Sequence, residues 1–415
     1  MNRSLRLLGL LLLVGFVPLG CAGAWRPALF TSARPGLAVQ DGKFMHAGAE
    51  FHGIGINFMS AFSRVLDSAT KHPAGPYDLS YREGFATLRQ YDIPFIRFNA
   101  NGYWPIEWKL YRENKELYFK LLDDFVREAE KQHLGLIPSF FWRYSTTPDL
   151  LREPLDQWGN PRSKTIAFMR QYTREFVERY KHSPAIWGYE FGNEYMLEAD
   201  LPNFKELIAP LVEGISEQPL GLPKVRTDRD KIERNAIRQA YAGFATTIRQ
   251  SDPSRPIITG DAMPRSCSWH LHHEASWQAD SIAQWGEIFV GDCPDPVDTL
   301  NAHVYYWDPQ PRHDYGPAGQ SPLQAMQIMQ RLAAQSKKPL FVGEFGYQDK
   351  LEDVASRQRQ FDVILNAILE CHVQLAAAWV FDFPQQPHNN ITPQTENAFV
   401  LERLAAANRQ LRARP

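Results

Sequence analysis

Two acidic residues stand 150 positions apart (344 minus 194), and both end apolar runs without a basic neighbour. Glu194 closes IWGYEFGNEY, Ile186 to Tyr195, and Glu344 lies in PLFVGEFG. Phe191 and Tyr195 flank the first, Phe341 and Phe345 the second. A carboxylate among aromatic rings is costly to desolvate unless it is hydrogen-bonded or used. Two such groups brought face to face can divide the work of proton donor and nucleophile. Cleaving a glycosidic bond with retention needs that division, at a carboxyl separation of ~5 to 5.5 Å. The two environments must differ so that one carboxyl keeps its proton near neutral pH. Arg97 can supply the difference: if Arg97 and Tyr305 both point at Glu344, its pKa should fall, while Glu194, farther from positive charge, stays protonated. Arg97 has a structural alternative, an internal ion pair with Glu190, which shares the strand parity of Glu194. Asp261 is read as a cap for the loop after strand five and left outside the catalytic set.

The elements that would carry these residues alternate strictly. The segment LAVQDGKFMHAGAEFHGIGINF predicts a short hairpin turning at Asp41-Gly42, then a first apolar strand from Gly53 to Phe58. Helical periodicity in YREGFATLRQY leads to the strand PFIRFNA. Helices near Leu117 to His133 and Lys164 to Tyr180 lead to GLIPSFF and AIWGYEFGN. A long helix from Asp228 to Ser251 precedes PIITGDAM, and one from Ser276 to Phe289 precedes DTLNAHVYY. Helices from Pro322 to Gln335 and Val354 to Cys371 lead to PLFVGEFG and LAAAWVFDF, and a last helix, Asn397 to Leu411, closes the chain. The strands are near-continuous apolar runs, as in a parallel sheet covered on both faces. Eight such pairs predict an α/β fold, a (β/α)₈ TIM barrel with an N-terminal hairpin and long βα loops. The site should then lie at the C-terminal strand ends.

Those ends carry Arg97, Asn193 with Glu194, His303 with Tyr305, Glu344 and Trp379, and in that order they resemble glycoside hydrolase family 5, the cellulase-like members of clan A. The resemblance implies that Glu194 is the acid/base and Glu344 the nucleophile. It also implies that Asn193 bonds the sugar 2-hydroxyl, that Arg97, His303 and Tyr305 support the site, and that Trp379 lines the subsite of the cleaved sugar. Two positions depart from the family pattern: Tyr195 stands where Pro usually follows the acid/base Glu, and strand three ends in SFFWRY, Ser139 to Tyr144, where His is common. Both bear on which sugar is bound. Trp104, Trp142, Trp269 and Trp307 are the candidate rings for further subsites.

The remaining features narrow the class. Basic and acidic residues number 45 and 47 with no long block of one sign, which argues against a nucleic-acid partner. There is no G-x-S-x-G, P-loop or G-x-G-x-x-G. His270, His272 and His273 lie in a polar stretch without the companion ligands of a metal site. Arg3 and Arg6 precede the apolar run Leu7 to Val17, which has the length of a signal peptide. Residues 1–24 are read as a leader and 25–415 as one catalytic domain. Gly20-Cys21 resembles a lipobox end, which would anchor the exported chain through Cys21, and Ala22-Gly23-Ala24 offers an ordinary cleavage site instead. In an oxidising compartment Cys267 and Cys293 could form a disulfide, and Cys371 is expected to be buried and inert.

The expectation is an exported, monomeric, retaining β-glycosidase for a glucan- or mannan-type substrate, without metal or organic cofactor. The alternatives are a carbohydrate-binding lipoprotein of the same fold that lacks turnover, and a transglycosylase of exopolysaccharide processing.

Overall fold

The computed structural model describes residues 36–207, 226–308, 314–348 and 350–413. The leader with Cys21, and residues 208–225 of the long loop after the fourth barrel strand, lie outside the described residues.

Strands β1 (Leu37–Gln40), β2 (Lys43–His46) and β3 (Ala49–Glu50) form a small antiparallel sheet. Its first turn takes positive φ at Asp41 and Gly42, 49° and 74°, which a two-residue hairpin loop of this hand requires. Leu37 and Phe44 of this sheet are buried together with Phe95, Ile137, Ile258, Phe341 and Leu375 from the barrel strands. The hairpin therefore plugs one end of the barrel and leaves the other for chemistry.

The barrel strands are β4 (Gly53–Asn57), β5 (Phe95–Asn99), β6 (Gly135–Phe141), β7 (Tyr189–Gly192), β8 (Ile257–Ile258), β9 (Leu300–Tyr305), β10 (Leu340–Gly346) and β11 (Leu375–Ala378). They pair in parallel, in the order β8-β7-β6-β5-β4-β11-β10-β9. The protein is a nearly closed (β/α)₈ barrel, as the alternation predicts. Its seam lies between β8 and β9, where Asn301 donates from its amide to the carbonyl of Asp261 at 2.5 Å. The fifth strand is shorter than its apolar run suggests. Gly260 bends away at φ 83°, and an added Cβ there would sit 1.9 Å from the carbonyl oxygen of Gly192.

The helices over the barrel are α1 (Ser63–Lys71), α2 (Tyr81–Gln90), α3 (Lys109–Glu113), α4 (Lys115–Lys131), α5 (Thr146–Leu151), α6 (Lys164–Tyr180), α7 (Phe204–Leu207), α8 (Arg234–Arg249), α9 (Ser268–Glu274), α10 (Ile282–Gly291), α11 (Pro322–Ser336), α12 (Val354–Glu370) and α13 (Ala398–Arg412). Two boundaries move from their expected places. The helix expected from Asp228 is a 3₁₀ turn, Asp228–Asp230, followed by α8. The one expected from Ser276 starts at Ile282, where Ser281 accepts from the Gln284 amide and Gln284 reaches back, a capping box. Helices α1, α3, α5 and α9 are additions within the βα loops, on the face where a site should be.

Side-chain alternation decides what enters the barrel. In β5, Ile96 and Phe98 pack outward in the main core, whereas Phe95 joins the plugged end and Arg97 stays inside. In β10, strict alternation from Phe341 (inside) and Val342 (outside) would turn Glu344 outward. The register shifts between Val342 and Glu344. Such a bulge adds one residue and reverses the facing of the residues beyond it, so Glu344 enters the barrel and Phe345 packs in the outer core.

Candidate active site

Arg97 is the hub of the site. Its guanidinium is wholly buried and its Nε donates to both carboxylate oxygens of Glu190, at 2.8 and 2.9 Å. Nη1 donates to Glu344 Oε1 at 2.6 Å and to Asn57 Oδ1 at 3.0 Å, and Nη2 to Asn193 Oδ1 at 2.7 Å. Both readings of Arg97 therefore hold: it makes the internal ion pair with Glu190 and also faces Glu344. The Trp142 ring covers the guanidinium at 4.5 Å, a cation–π contact strengthened by burial.

Glu344 is bonded at both oxygens, since Tyr305 donates its hydroxyl to Oε2 at 2.7 Å. Asn57 explains how the bulge beneath it is held. The Asn57 amide donates to the carbonyl of Gly343 at 2.9 Å and to those of Ala377 and Ala378 at 3.3 and 3.2 Å. A side chain at 343 would press on Asn301 and His303, 3.0 and 3.1 Å from its Cβ.

Glu194 follows β7 in the left-handed region, φ 57° and ψ 31°, a conformation that costs a non-glycine residue of order 1–3 kcal/mol. The neighbouring strand ends hold it there. The Asn193 amide donates to the Trp142 carbonyl (3.0 Å), that of Glu194 to Gly260 (2.9 Å), and that of Met196 to Asp261 Oδ1 (3.0 Å). Asp261 is thus a cap, as expected, but for the turn after strand four, and Tyr241 donates to its other oxygen at 2.8 Å.

The two acids meet across the mouth. Donor atoms of Glu194, His303 and Glu344 lie within 4.8 Å of one another, and His303 Nδ1 is 2.8 Å from Glu194 Oε1 and 3.7 Å from Glu344 Oε2. Burial depresses the His303 pKa to about 4, with Arg97 adding to the effect, so its ring is neutral. His303 Nε2 is buried without a partner. An orphaned acceptor is tolerated more readily than an orphaned N–H, so the ring proton belongs on Nδ1 and is donated to Glu194.

Burial pushes the Glu194 carboxyl up to about 7, opposed by Arg97. For Glu344 the expected fall does not occur. Burial raises it too, against Arg97 and the Tyr305 hydroxyl, and the nearby Glu194 adds to the rise. Two carboxylates this close titrate as a pair. The pair's proton settles on Glu194, whose anion has only a neutral imidazole for partner, while the Glu344 anion receives a guanidinium and a phenol. The same three donors could converge on a cation, but the guanidinium at 2.6 Å already places a positive charge there.

All seven residues singled out by sequence converge here: Glu194, Glu344, Arg97, Asn193, His303 and Tyr305 as described, and Trp379, whose indole donates to Gln386 Oε1 at 2.7 Å and which faces Trp142 at 6.3 Å. Six of them border a cleft of about 1060 Å³, with Glu194 retaining 31% exposure toward it, while Arg97 lies buried behind them. Of the other candidate rings Trp104 and Trp142 line the cleft. Trp307 is buried and bonded to the Gln320 carbonyl, and Trp269 sits on α9 against His273. Tyr195 does not face substrate either: it is fully buried and donates to the Phe141 carbonyl at 2.6 Å. Asn57, which the sequence places at the end of the first barrel strand, and Glu190, considered only as an ion-pair partner of Arg97, were given no role in the site, although both stand inside barrel strands.

Of the three histidines of α9, His270 pairs with Asp280 at 2.7 Å and His272 with Asp200 at 2.8 Å, and His273 packs against the Trp269 ring. Cys267 and Cys293 are both buried, and the structure links neither in a disulfide. Cys371 is only partly buried, and burial raises its thiol to about 11.

A parallel barrel with an asymmetric carboxylate pair at its C-terminal mouth defines the class of carboxylate-pair hydrolases. Comparison with known proteins agrees. The family model described as Cellulase (glycosyl hydrolase family 5) matches residues 149–381, more than half of the chain, and the chain belongs to that family. Among solved structures it is similar to an endo-1,4-beta-mannanase from Rhizomucor miehei (TM-score 0.61, 12% identity, covering 91% of this chain and 100% of that one). It is also similar to an endo-1,4-beta-D-mannanase from Thermotoga petrophila (0.55, 13%, 86% and 99%) and a beta-glucanase from Saccharophagus degradans (0.53, 14%, 91% and 95%). At these identities the likeness is one of fold. A search of curated proteins finds no match.

Proposed function

We propose that the protein is a retaining β-glycosidase acting on β-linked glucan- or mannan-type saccharides. The observation that carries this reading is the carboxylate pair, with donor atoms within 4.8 Å and unlike hydrogen-bond environments. Inverting enzymes hold the two groups ~6.5–9.5 Å apart to admit a water, so this spacing favours retention. Glu344 attacks the anomeric carbon while Glu194 gives its proton to the departing glycosidic oxygen, forming a glycosyl ester and a free alcohol. Glu194, now ionised and held by the His303 N–H, takes a proton from water, whose oxygen displaces Glu344 from the anomeric carbon. Asn193, anchored by Arg97, is placed to bond the 2-hydroxyl, a contact that strengthens in the oxocarbenium-like transition state. The charge that the site needs comes from Arg97, and no metal or organic cofactor enters the scheme. The glucanase and mannanases of similar fold support the substrate class.

A 2-deoxy-2-fluoro glycoside with a good leaving group tests the reading. Stoichiometric labelling of Glu344, absent in Glu344→Ala, is expected. A protein that binds sugars without turnover forms no such adduct, and product analysis with an added acceptor sugar separates hydrolysis from transglycosylation. The apolar leader supports export with Cys21 as a lipid anchor. Metabolic labelling with palmitate, lost in Cys21→Ser, is the expected result.

A further inference from the structure

We infer that the cleft is closed at its glycone end, so that the enzyme removes sugars from the non-reducing terminus of an oligosaccharide instead of cutting within a chain; this rests on the hydrolase reading above. The direction of the cleft follows from the reaction. The leaving oxygen must lie against the proton donor, so the aglycone occupies the side of Glu194, walled by Leu197, Ala262 and Met263. The cleaved sugar then lies toward Trp379 and Trp142, and anything attached to its non-reducing side must continue past them.

Past those rings stands α1, an extra helix in the loop after β4. It buries Val65, Leu66 and Ala69 and turns Ser63, Arg64 and Asp67 to the cleft. The loops around it are tied together. Arg64 Nη1 pairs with Asp382 Oδ2 at 2.6 Å, and its other terminal nitrogen bonds the Asp382 carbonyl, joining the loops after β4 and β11. α1 packs against α3 and the 3₁₀ turn Pro105–Trp108, which joins the loop after β5. Thr146 donates its hydroxyl to the Tyr103 carbonyl, which ties that loop to the one after β6. Four loops, those after the eighth, first, second and third barrel strands, thus make one continuous wall. A polysaccharide running past the cleaved sugar would have to break the Arg64–Asp382 pair, whose side chains are only 23% and 31% exposed.

The chemistry of the wall fits a chain end. A terminal sugar carries a free hydroxyl where an internal one carries a linkage, and the Ser63 hydroxyl and Asp67 carboxylate can bond it.

Cello- and mannohexaose test this, each with and without a cyclic acetal capping the hydroxyls of the non-reducing terminal sugar. The expected result is early release of mono- or disaccharide from that end of the uncapped substrate, and a rate at least about tenfold lower with the cap. Arg64→Ala, which unties the wall, should narrow that gap. Interior cleavage at equal rates with and without the cap would overturn the closed end and leave the hydrolase reading standing. A gap unchanged in Arg64→Ala would overturn the role of the wall. No cleavage of either substrate, with no labelling of Glu344 by the fluoro-sugar, would overturn the hydrolase reading and this inference with it.

Discussion

Replacing Glu194 with Gln should remove the alkaline limb of the pH–rate profile and expose how much the proton donor contributes. The wild-type carboxyl, pushed up to about 7 by burial, must be protonated to act as an acid. Activity is therefore lost as pH rises through about 7: roughly nine-tenths of the acid form survives at pH 6 and roughly one-tenth at pH 8. Gln keeps an acceptor oxygen for the His303 N–H at 2.8 Å, so the geometry should persist while the proton is gone. A general acid contributes ~10²–10⁴-fold when the leaving alcohol is poor and little when it is a good phenol. On a disaccharide the variant should lose that factor, and its remaining activity should be flat from pH 6 to pH 8. On a dinitrophenyl glycoside the first turnover should stay within about tenfold of wild type and appear as a burst, because the second step lacks its base. Stopped-flow release of the phenol, compared with steady-state hydrolysis of the disaccharide, measures both. An alkaline limb that survives in the variant, or equal losses on both substrates, would refute the assignment of the proton to Glu194.

Asp261 is raised to about 7 by burial and by Asp292, so the folded state holds this proton more tightly than the unfolded chain. Its ionisation costs stability as pH rises from about 4 to about 7, by up to about 4 kcal/mol. Asp261→Asn, which mimics the protonated form toward Met196 and Tyr241, should flatten that part of a denaturation-versus-pH series. Arg97→Met leaves Glu190 and Glu344 buried without their cation, and urea titration should register a loss of about 3–5 kcal/mol; adding Glu190→Gln should recover part of it. Asn193→Ala should lower kcat more than it raises KM, and a 2-deoxy substrate should be insensitive to the change. Trp142→Leu uncovers the Arg97 guanidinium, and the lost contact of about 1–2 kcal/mol should appear in kcat/KM while Glu344 remains open to labelling.

The Trp142 side chain also illustrates where sequence reading stops. Its place at the end of strand three is legible from the apolar run before it, yet nothing in SFFWRY says that it covers an arginine on the neighbouring barrel strand. Tyr195 is the opposite case: its departure from the family pattern points to substrate, but the ring turns into the core and braces the Phe141 carbonyl.

By itself the sequence determined the alternation of apolar strands and amphipathic helices, the Asp41-Gly42 turn, and the strand ends that carry Glu194, Arg97, His303 and Glu344. Each of these is a property of one segment, set by local periodicity and turn chemistry. Only the tertiary structure decided which way Glu344 faces, because the bulge at Gly343 is held by Asn57, nearly three hundred residues away along the chain. It also decided the protonation of the pair, since burial outweighs Arg97 at Glu344, and which loops close the cleft, since Arg64 and Asp382 meet only when the barrel does. Facing, desolvation and closure depend on several strands at once, and no single stretch of chain contains them.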